Sequence, residues 1–150
     1  MKSPCLSFTA ALLLSLAGCQ SAPDAAGPSA PDSSGKVTTA SGLQYRVLSS
    51  GPADGRSPTR NDSVVVHYRG TLTNGTVFDS SIERGQPATF GVGQVIPGWT
   101  EALQLMKPGD VWMLRIPARL AYGNQAVGGN IPPNSDLIFE VHLLQIVGGF

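Results

Sequence analysis

The stretch SVVVHYRGTLTNGTVFD, running from Ser63 to Asp79, decides the architecture. Its first ten residues, Ser63–Leu72, alternate so that Val64, Val66 and Tyr68 fall on one face while His67 and Arg69 point the other way, the two-residue period of a half-buried strand. Thr73-Asn74-Gly75-Thr76 follows. An Asn-Gly pair accepts positive φ, so the chain reverses there and returns through Val77-Phe78-Asp79 as a hairpin. Working outward, Leu43–Leu48 reads as a short first strand, Gln86–Val92 as another, and Val111–Ile116 and Leu137–Val147 as β-rich runs that complete the sheet. One helix interrupts them. Ile96–Met106 (IPGWTEALQLM) has Pro at its entry and sets Trp99, Ala102, Leu103 and Met106 at i, i+3, i+4 and i+7, an apolar face that must pack on the sheet. Lys107-Pro108-Gly109-Asp110 ends it. The expected architecture is α+β, an antiparallel sheet wrapped around one short α-helix.

The whole chain has 150 residues, one domain's worth. With 10 Lys+Arg against 10 Asp+Glu and no basic block, it offers no electrostatic footprint for nucleic acid. Cys5 and Cys19 both precede residue 20, so the rest lacks thiols for disulfides, zinc ribbons or cysteine nucleophiles. His67 and His142 are too few, and too poorly matched by nearby acids, for hydrolysis or a metal; each alternates out of a strand's apolar face and reads as a sheet-flank residue. Gly91-Val92-Gly93 with Gly98 has the wrong spacing for a dinucleotide loop, and no cofactor is implied.

The N-terminus, MKSPCLSFTAALLLSLAGCQ, carries a short basic start, an apolar run from Leu6 to Leu16 and small residues before Cys19. That run is well short of the roughly 20 residues a membrane-spanning helix needs. Leu16-Ala17-Gly18-Cys19 resembles the bacterial lipobox. The resemblance implies that residues 1–18 are a lipoprotein signal peptide and that Cys19 becomes the lipidated first residue of the mature chain, held to the membrane by its acyl chains alone. Gln20 in place of Asp resembles the sorting signal for the outer membrane, facing the periplasm. Ser21 to Ser41 is rich in Ser, Pro, Ala and Gly with no aromatic residue, so residues 19–42 read as a flexible tether and 43–150 as the folded domain.

Within that domain, aromatic and apolar residues with polar neighbours recur at Tyr68, Phe78-Asp79, Phe90, Val95-Ile96, Trp99, Tyr122, Ile131 and Phe139. YRGTLTNGTVFDSS from Tyr68, QVIPGWTEALQLM from Gln94 and LAYGNQAVGGNIPPNSDLIFEVHLL from Leu120, in this order, closely resemble the FKBP-type peptidyl-prolyl cis-trans isomerases, particularly the bacterial branch of the macrophage infectivity potentiators. The resemblance runs from about Val64 to Ile146, and the strand at Leu43 fits it. It implies an isomerase that accelerates X-Pro isomerisation in envelope proteins without a cofactor. By the same resemblance, Tyr68, Phe78, Phe90, Val95, Ile96, Tyr122, Ile131 and Phe139 wall a proline pocket with Trp99 as its floor. Asp79 falls where the family sets a carboxylate beside the twisting amide. The Ile96 N–H and the Tyr122 hydroxyl match donors to the bound peptide, and Arg84 matches a residue that holds Asp79 and a tyrosine in place. The implied ligands are proline-containing polypeptides and macrolide inhibitors.

Ala88 stands where eukaryotic members of the family commonly have Phe and Asn130 where they have an apolar residue, which makes the rim more open and more polar. Only the tether precedes Leu43, so the helical arm through which macrophage infectivity potentiators dimerise has no counterpart and a monomer is expected. The physical case is independent of the family. Resonance sets a barrier of roughly 18–20 kcal/mol to rotation about the peptide bond. The twisted transition state has lost that resonance and carries less carbonyl charge, so a dry apolar pocket favours it over the planar amide. A tethered module that captures proline-containing segments with little turnover uses the same residues, and a rate measured on an X-Pro peptide separates the two.

Overall fold

The computed structural model describes residues 31–148; the signal-like stretch, Cys19 and the first part of the tether lie outside them. The chain forms β1 (Lys36–Thr38), β2 (Gln44–Ser49), β3 (Ser63–Leu72), β4 (Val77–Ser80), α1 (Ser81–Arg84), β5 (Ala88–Gly91), α2 (Pro97–Leu105), β6 (Val111–Ile116) and β7 (Leu137–Val147). The seven strands make one antiparallel sheet in the order β1-β2-β6-β7-β3-β4, with β5 also on β3.

The alternation read in Ser63–Leu72 is what the sheet uses. Val64, Val66 and Tyr68 turn inward and are buried, while Arg69 is exposed on the outer face. β7 pairs with β3 along its whole length, from Ser63 opposite Val147 to Leu72 opposite Leu137. The other edge of β3 is divided: β5 takes Ser63 to Val66 and β4 takes Arg69 to Thr71. The reversal between β3 and β4 falls at Asn74-Gly75, where Gly75 adopts φ +90° and the Leu72 N–H donates to the Thr76 carbonyl at 2.9 Å.

The inner face closes over α2. Trp99, Ala102 and Leu103 of that helix are buried, and Met106 behind it is fully so, against Val64, Val66, Leu114, Ile116, Leu137, Phe139 and Val141 of the sheet. Complete burial of each such aliphatic side chain contributes about 1.5–3 kcal/mol. Pro97 occupies the first turn, where its missing N–H costs nothing, and Met106 ends the helix with its N–H returned to the Ala102 and Leu103 carbonyls. Gly98 is required here, because a Cβ would stand 2.5 Å from Ile116 Cγ2. The buried Thr100 hydroxyl donates to the Val92 carbonyl at 2.8 Å and ties the helix to the turn that precedes Val95 and Ile96.

Two elements differ from the sequence reading. The sheet begins ahead of Leu43: Lys36–Thr38, inside the expected tether, pairs with Gln44–Arg46, and Thr39 behind it is buried. A second, one-turn helix, α1, follows β4 directly. Its ends are marked by short-range chemistry, with the Ser80 side chain accepting from the Glu83 N–H and Gly85 turning the chain out at φ +70°. Strand bounds shift by a residue or two elsewhere, most at Gln86–Val92, where only Ala88–Gly91 is strand and Val92–Gln94 forms a 3-10 turn.

Candidate active site

The inner face of the sheet carries a cluster of aromatic rings around Trp99. The Trp99 indole meets Tyr68, Phe90 and Phe139 edge to face, at centroid distances of 5.4, 5.5 and 5.2 Å. Phe78 in turn meets Phe139 at 5.5 Å, and Tyr68 lies 5.8 Å from Phe90. Each such pair adds about 0.5–1.5 kcal/mol beyond its buried area and fixes ring orientation. These residues come from β3, β4, β5, α2 and β7, so the cluster exists only once the sheet has closed on the helix. Gly70 keeps the centre open, since a Cβ there would stand 2.6 Å from Phe78 Cζ and 2.8 Å from Phe139 Cε1.

Trp99, Tyr68 and Phe139 are buried, whereas Phe78 and Phe90 are half-buried, so the cluster has a covered floor and accessible sides. The Trp99 Nε1–H is buried without an acceptor among the described residues. Val95 and Ile96, also half-buried, lie just before α2. The Ile96 carbonyl accepts from Trp99 and Thr100, and its own N–H donates to no group among the described residues.

At the side of this cluster stands a polar network of three residues. The Tyr68 hydroxyl donates to Asp79 Oδ2 at 2.5 Å, Arg84 Nη1 pairs with Asp79 Oδ1, and Arg84 Nη2 donates to the Tyr68 hydroxyl at 3.1 Å. The Arg84 guanidinium also lies 5.8 Å from the Tyr68 ring centre. Burial alone would raise the Asp79 carboxyl, but hydrogen bonds from Tyr68 and Arg84 outweigh it and hold the group below its ordinary value. Burial, then the bond to Asp79, pushes the Tyr68 phenol above its own. The result is a fixed negative carboxylate at the edge of an aromatic bowl.

The structure thus brings together Tyr68, Phe78, Asp79, Arg84, Phe90, Trp99 and Phe139. Ile131 is buried at the foot of a loop closed by paired hydrogen bonds with Val127 and belongs to the same core. Tyr122 stands apart: it is 40% exposed in the turn after β6, and its hydroxyl takes no hydrogen bond among the described residues. Ser81 is a contact that the sequence reading passed over. Its hydroxyl is fully buried and joins α1 to the Tyr68 peptide; the only signal was its place after the Ser80 cap. His67 and His142 face each other across β3 and β7 on the outer face, His142 bonded to Glu140 and His67 to Ser81. Among the described residues no group of three or more His, Cys, Asp or Glu stands close enough to hold a metal ion. A groove of about 230 Å³ lined by Lys36, Arg46, Met113, Arg115 and Ile138 lies on the outer face, away from the aromatic cluster.

Sheet, helix and bowl define a class of small α+β domains with an aromatic bowl beside one held carboxylate. The sequence profile of the FKBP-type peptidyl-prolyl cis-trans isomerases matches residues 54–144. Among known proteins, the chain is 56% identical over 112 residues to the peptidyl-prolyl cis-trans isomerase Mip of Coxiella burnetii, covering 75% of this chain and 48% of that protein. It is 54% identical over 112 residues to the outer membrane protein MIP of Legionella longbeachae, covering 75% and 47%. The crystal structure of FkpA from Escherichia coli superposes with a TM-score of 0.72 at 46% identity, covering 76% of this chain and 52% of that one. That of a peptidyl-prolyl cis-trans isomerase from Pseudomonas syringae superposes at 0.69 and 39% identity, covering 75% and 81%. The chain belongs to the FKBP-type peptidyl-prolyl cis-trans isomerase family. It spans about half the length of the curated relatives it matches.

Proposed function

We propose that this chain accelerates cis–trans isomerisation of X-Pro bonds in polypeptides of the bacterial envelope. The observation that carries the reading is the Tyr68–Asp79–Arg84 network set against the rings around Trp99. A proline ring seated on Trp99, between Tyr68, Phe78, Phe90, Val95, Ile96, Ile131 and Phe139, leaves its amide in a site from which water is excluded. There the planar amide loses its solvation, whereas the twisted amide, with less charge on oxygen, loses less. Each 1.4 kcal/mol of that difference is worth about tenfold in rate. The Ile96 N–H and the Tyr122 hydroxyl, both without an acceptor among the described residues, hold flanking carbonyls of the peptide. The Asp79 carboxylate orients the amide or favours its pyramidal nitrogen, and Arg84 keeps the carboxylate in place.

Cys19 carries the lipid that fixes the domain, as a monomer, to the outer membrane facing the periplasm, with the stretch up to about residue 35 as tether. The lipobox-like Leu16–Cys19 supports the lipid anchor, and the name of the Legionella longbeachae relative supports the outer-membrane location. Macrolide inhibitors compete for the same bowl, with Ala88 and Asn130 setting their affinity.

The test is the cis-to-trans rate of an Ala-Leu-Pro-Phe peptide with wild type and Asp79→Ala, with and without a macrolide. Catalysis that falls about tenfold or more in the variant supports the reading. A folded wild-type protein that binds the peptide without accelerating it would overturn the reading in favour of a capture module.

A further inference from the structure

Between Val66 and Arg69 the free edge of β3 changes partner from β5 to β4. Continuing the β3–β4 register by one step would set Tyr68 opposite Ser81, but the chain has already turned into α1 there. The Ser81 side chain stands in for the missing strand. Its oxygen accepts the Tyr68 N–H at 2.8 Å, lies 3.4 Å from the Tyr68 carbonyl and 3.1 Å from His67 Nδ1. A buried peptide N–H left without a partner is costly, so this hydroxyl is structurally required to be polar.

The other holds of α1 on the domain run through exposed side chains, Glu83 paired with Arg69 of β3 at 3.6 Å and Arg84 with Asp79 and Tyr68. Ile82, Glu83 and Arg84 are exposed, and Ser81 is the single buried residue of the helix. Yet α1 delivers Arg84, which bonds both Asp79 and the Tyr68 hydroxyl. Ser81 therefore connects the two sides of the network: it grips the peptide of Tyr68 and docks the helix that aims Arg84.

Building on the isomerase reading above, we infer that Ser81 is a positioning residue for the reaction. Held between the Tyr68 peptide and His67, its hydroxyl sets α1 so that Arg84 and Tyr68 present the Asp79 carboxylate in one geometry. His67, whose side chain lies on the outer face of the sheet, is part of this support.

The experiment is exchange NMR on an Ala-Leu-Pro-Phe peptide at several concentrations, with the full chain, so that kcat and KM separate. Wild type, Ser81→Ala, His67→Ala, Asp79→Ala and the Asp79→Ala/Ser81→Ala pair are compared, each scaled to its folded fraction by near-ultraviolet circular dichroism. Ser81→Ala is expected to lower kcat about tenfold with KM within about twofold, the size of a small misplacement of reacting groups. His67→Ala is expected to lower kcat about two- to threefold, and Ser81→Ala to add no further loss once Asp79 is Ala. Unchanged kcat in folded Ser81→Ala, or a loss independent of Asp79, overturns the positioning role. Should Ser81→Ala fail to fold, His67→Ala decides, and an unchanged kcat there overturns it. An inactive wild type overturns the isomerase reading itself and the positioning role with it, and that result is in hand before any variant is measured.

Discussion

Tyr68 gives its hydroxyl proton to Asp79 and accepts from Arg84, so one phenol both lowers the carboxylate and holds the guanidinium. Replacing it with Phe leaves burial, which raises the Asp79 carboxyl, opposed only by Arg84 and the Ser80 backbone N–H. We expect Asp79 in Tyr68→Phe to titrate at higher pH than in wild type, read by carboxyl carbon NMR, and the acid limb of the rate profile to move up with it. The direction follows from the lost Tyr68 hydrogen bond; by linkage, a carboxylate held below its unfolded value stabilises the fold fully above that value and loses this contribution as the pH falls through the lower folded value. Asp79 and Arg84 are about half exposed, so solvent screens that contribution and the effect belongs to the site more than to stability. Only part of this was legible in the sequence. Asp79 and Arg84 are five apart, outside the three- or four-residue spacing of a helical pair, and Asp79 lies on a strand; no local pattern joins them. Their pairing was reached through family resemblance.

At the scale of elements, β3 and α2 could be read because their signals are local and long. Alternation over ten residues and an apolar stripe after Pro97 leave few alternatives. β1 could not: three residues, Lys-Val-Thr, in a polar stretch become a strand only because β2 offers an edge. α1 is a single turn, too short for any period, and its caps at Ser80 and Gly85 gain meaning only beside the Ser81 bond to β3. The β3–β4 hairpin also carries a steric requirement that its turn motif does not announce. Gly70 lies where Phe78 and Phe139 meet, so Gly70→Ala pushes one ring off its rotamer. The expected cost is about 1–3 kcal/mol in denaturant unfolding, with a lower isomerisation rate in the folded protein. Full activity in that variant would show that the Phe78–Phe139 contact is irrelevant to the bowl.

For the molecule as a whole, the segment leading into β3 is fastened by Asp62. Its carboxylate receives Arg56 Nη1 at 2.7 Å and the Thr59 N–H at 2.8 Å, while its carbonyl accepts the Val92 N–H. Arg56 first and the Thr59 N–H next hold the carboxyl far below the ordinary aspartate value. Its stabilisation is thus complete above pH about 4, near the unfolded aspartate value, and declines as the pH falls further. The melting temperature of wild type is expected to drop more between pH 7 and pH 3 than that of Asp62→Asn. Equal drops would show that other carboxylates control acid unfolding.

The divided edge of β3 reaches beyond energetics. β4 and β5 each hold to β3 on their own, and the link between them, Gly85 to Pro87, is exposed and belongs to neither ladder. That link leaves α1 beside the guanidinium that meets Asp79. New sequence inserted there would reach the mouth of the bowl without asking any strand to move. A lineage with this layout can lengthen at one joint and inherit the rest of the scaffold unaltered.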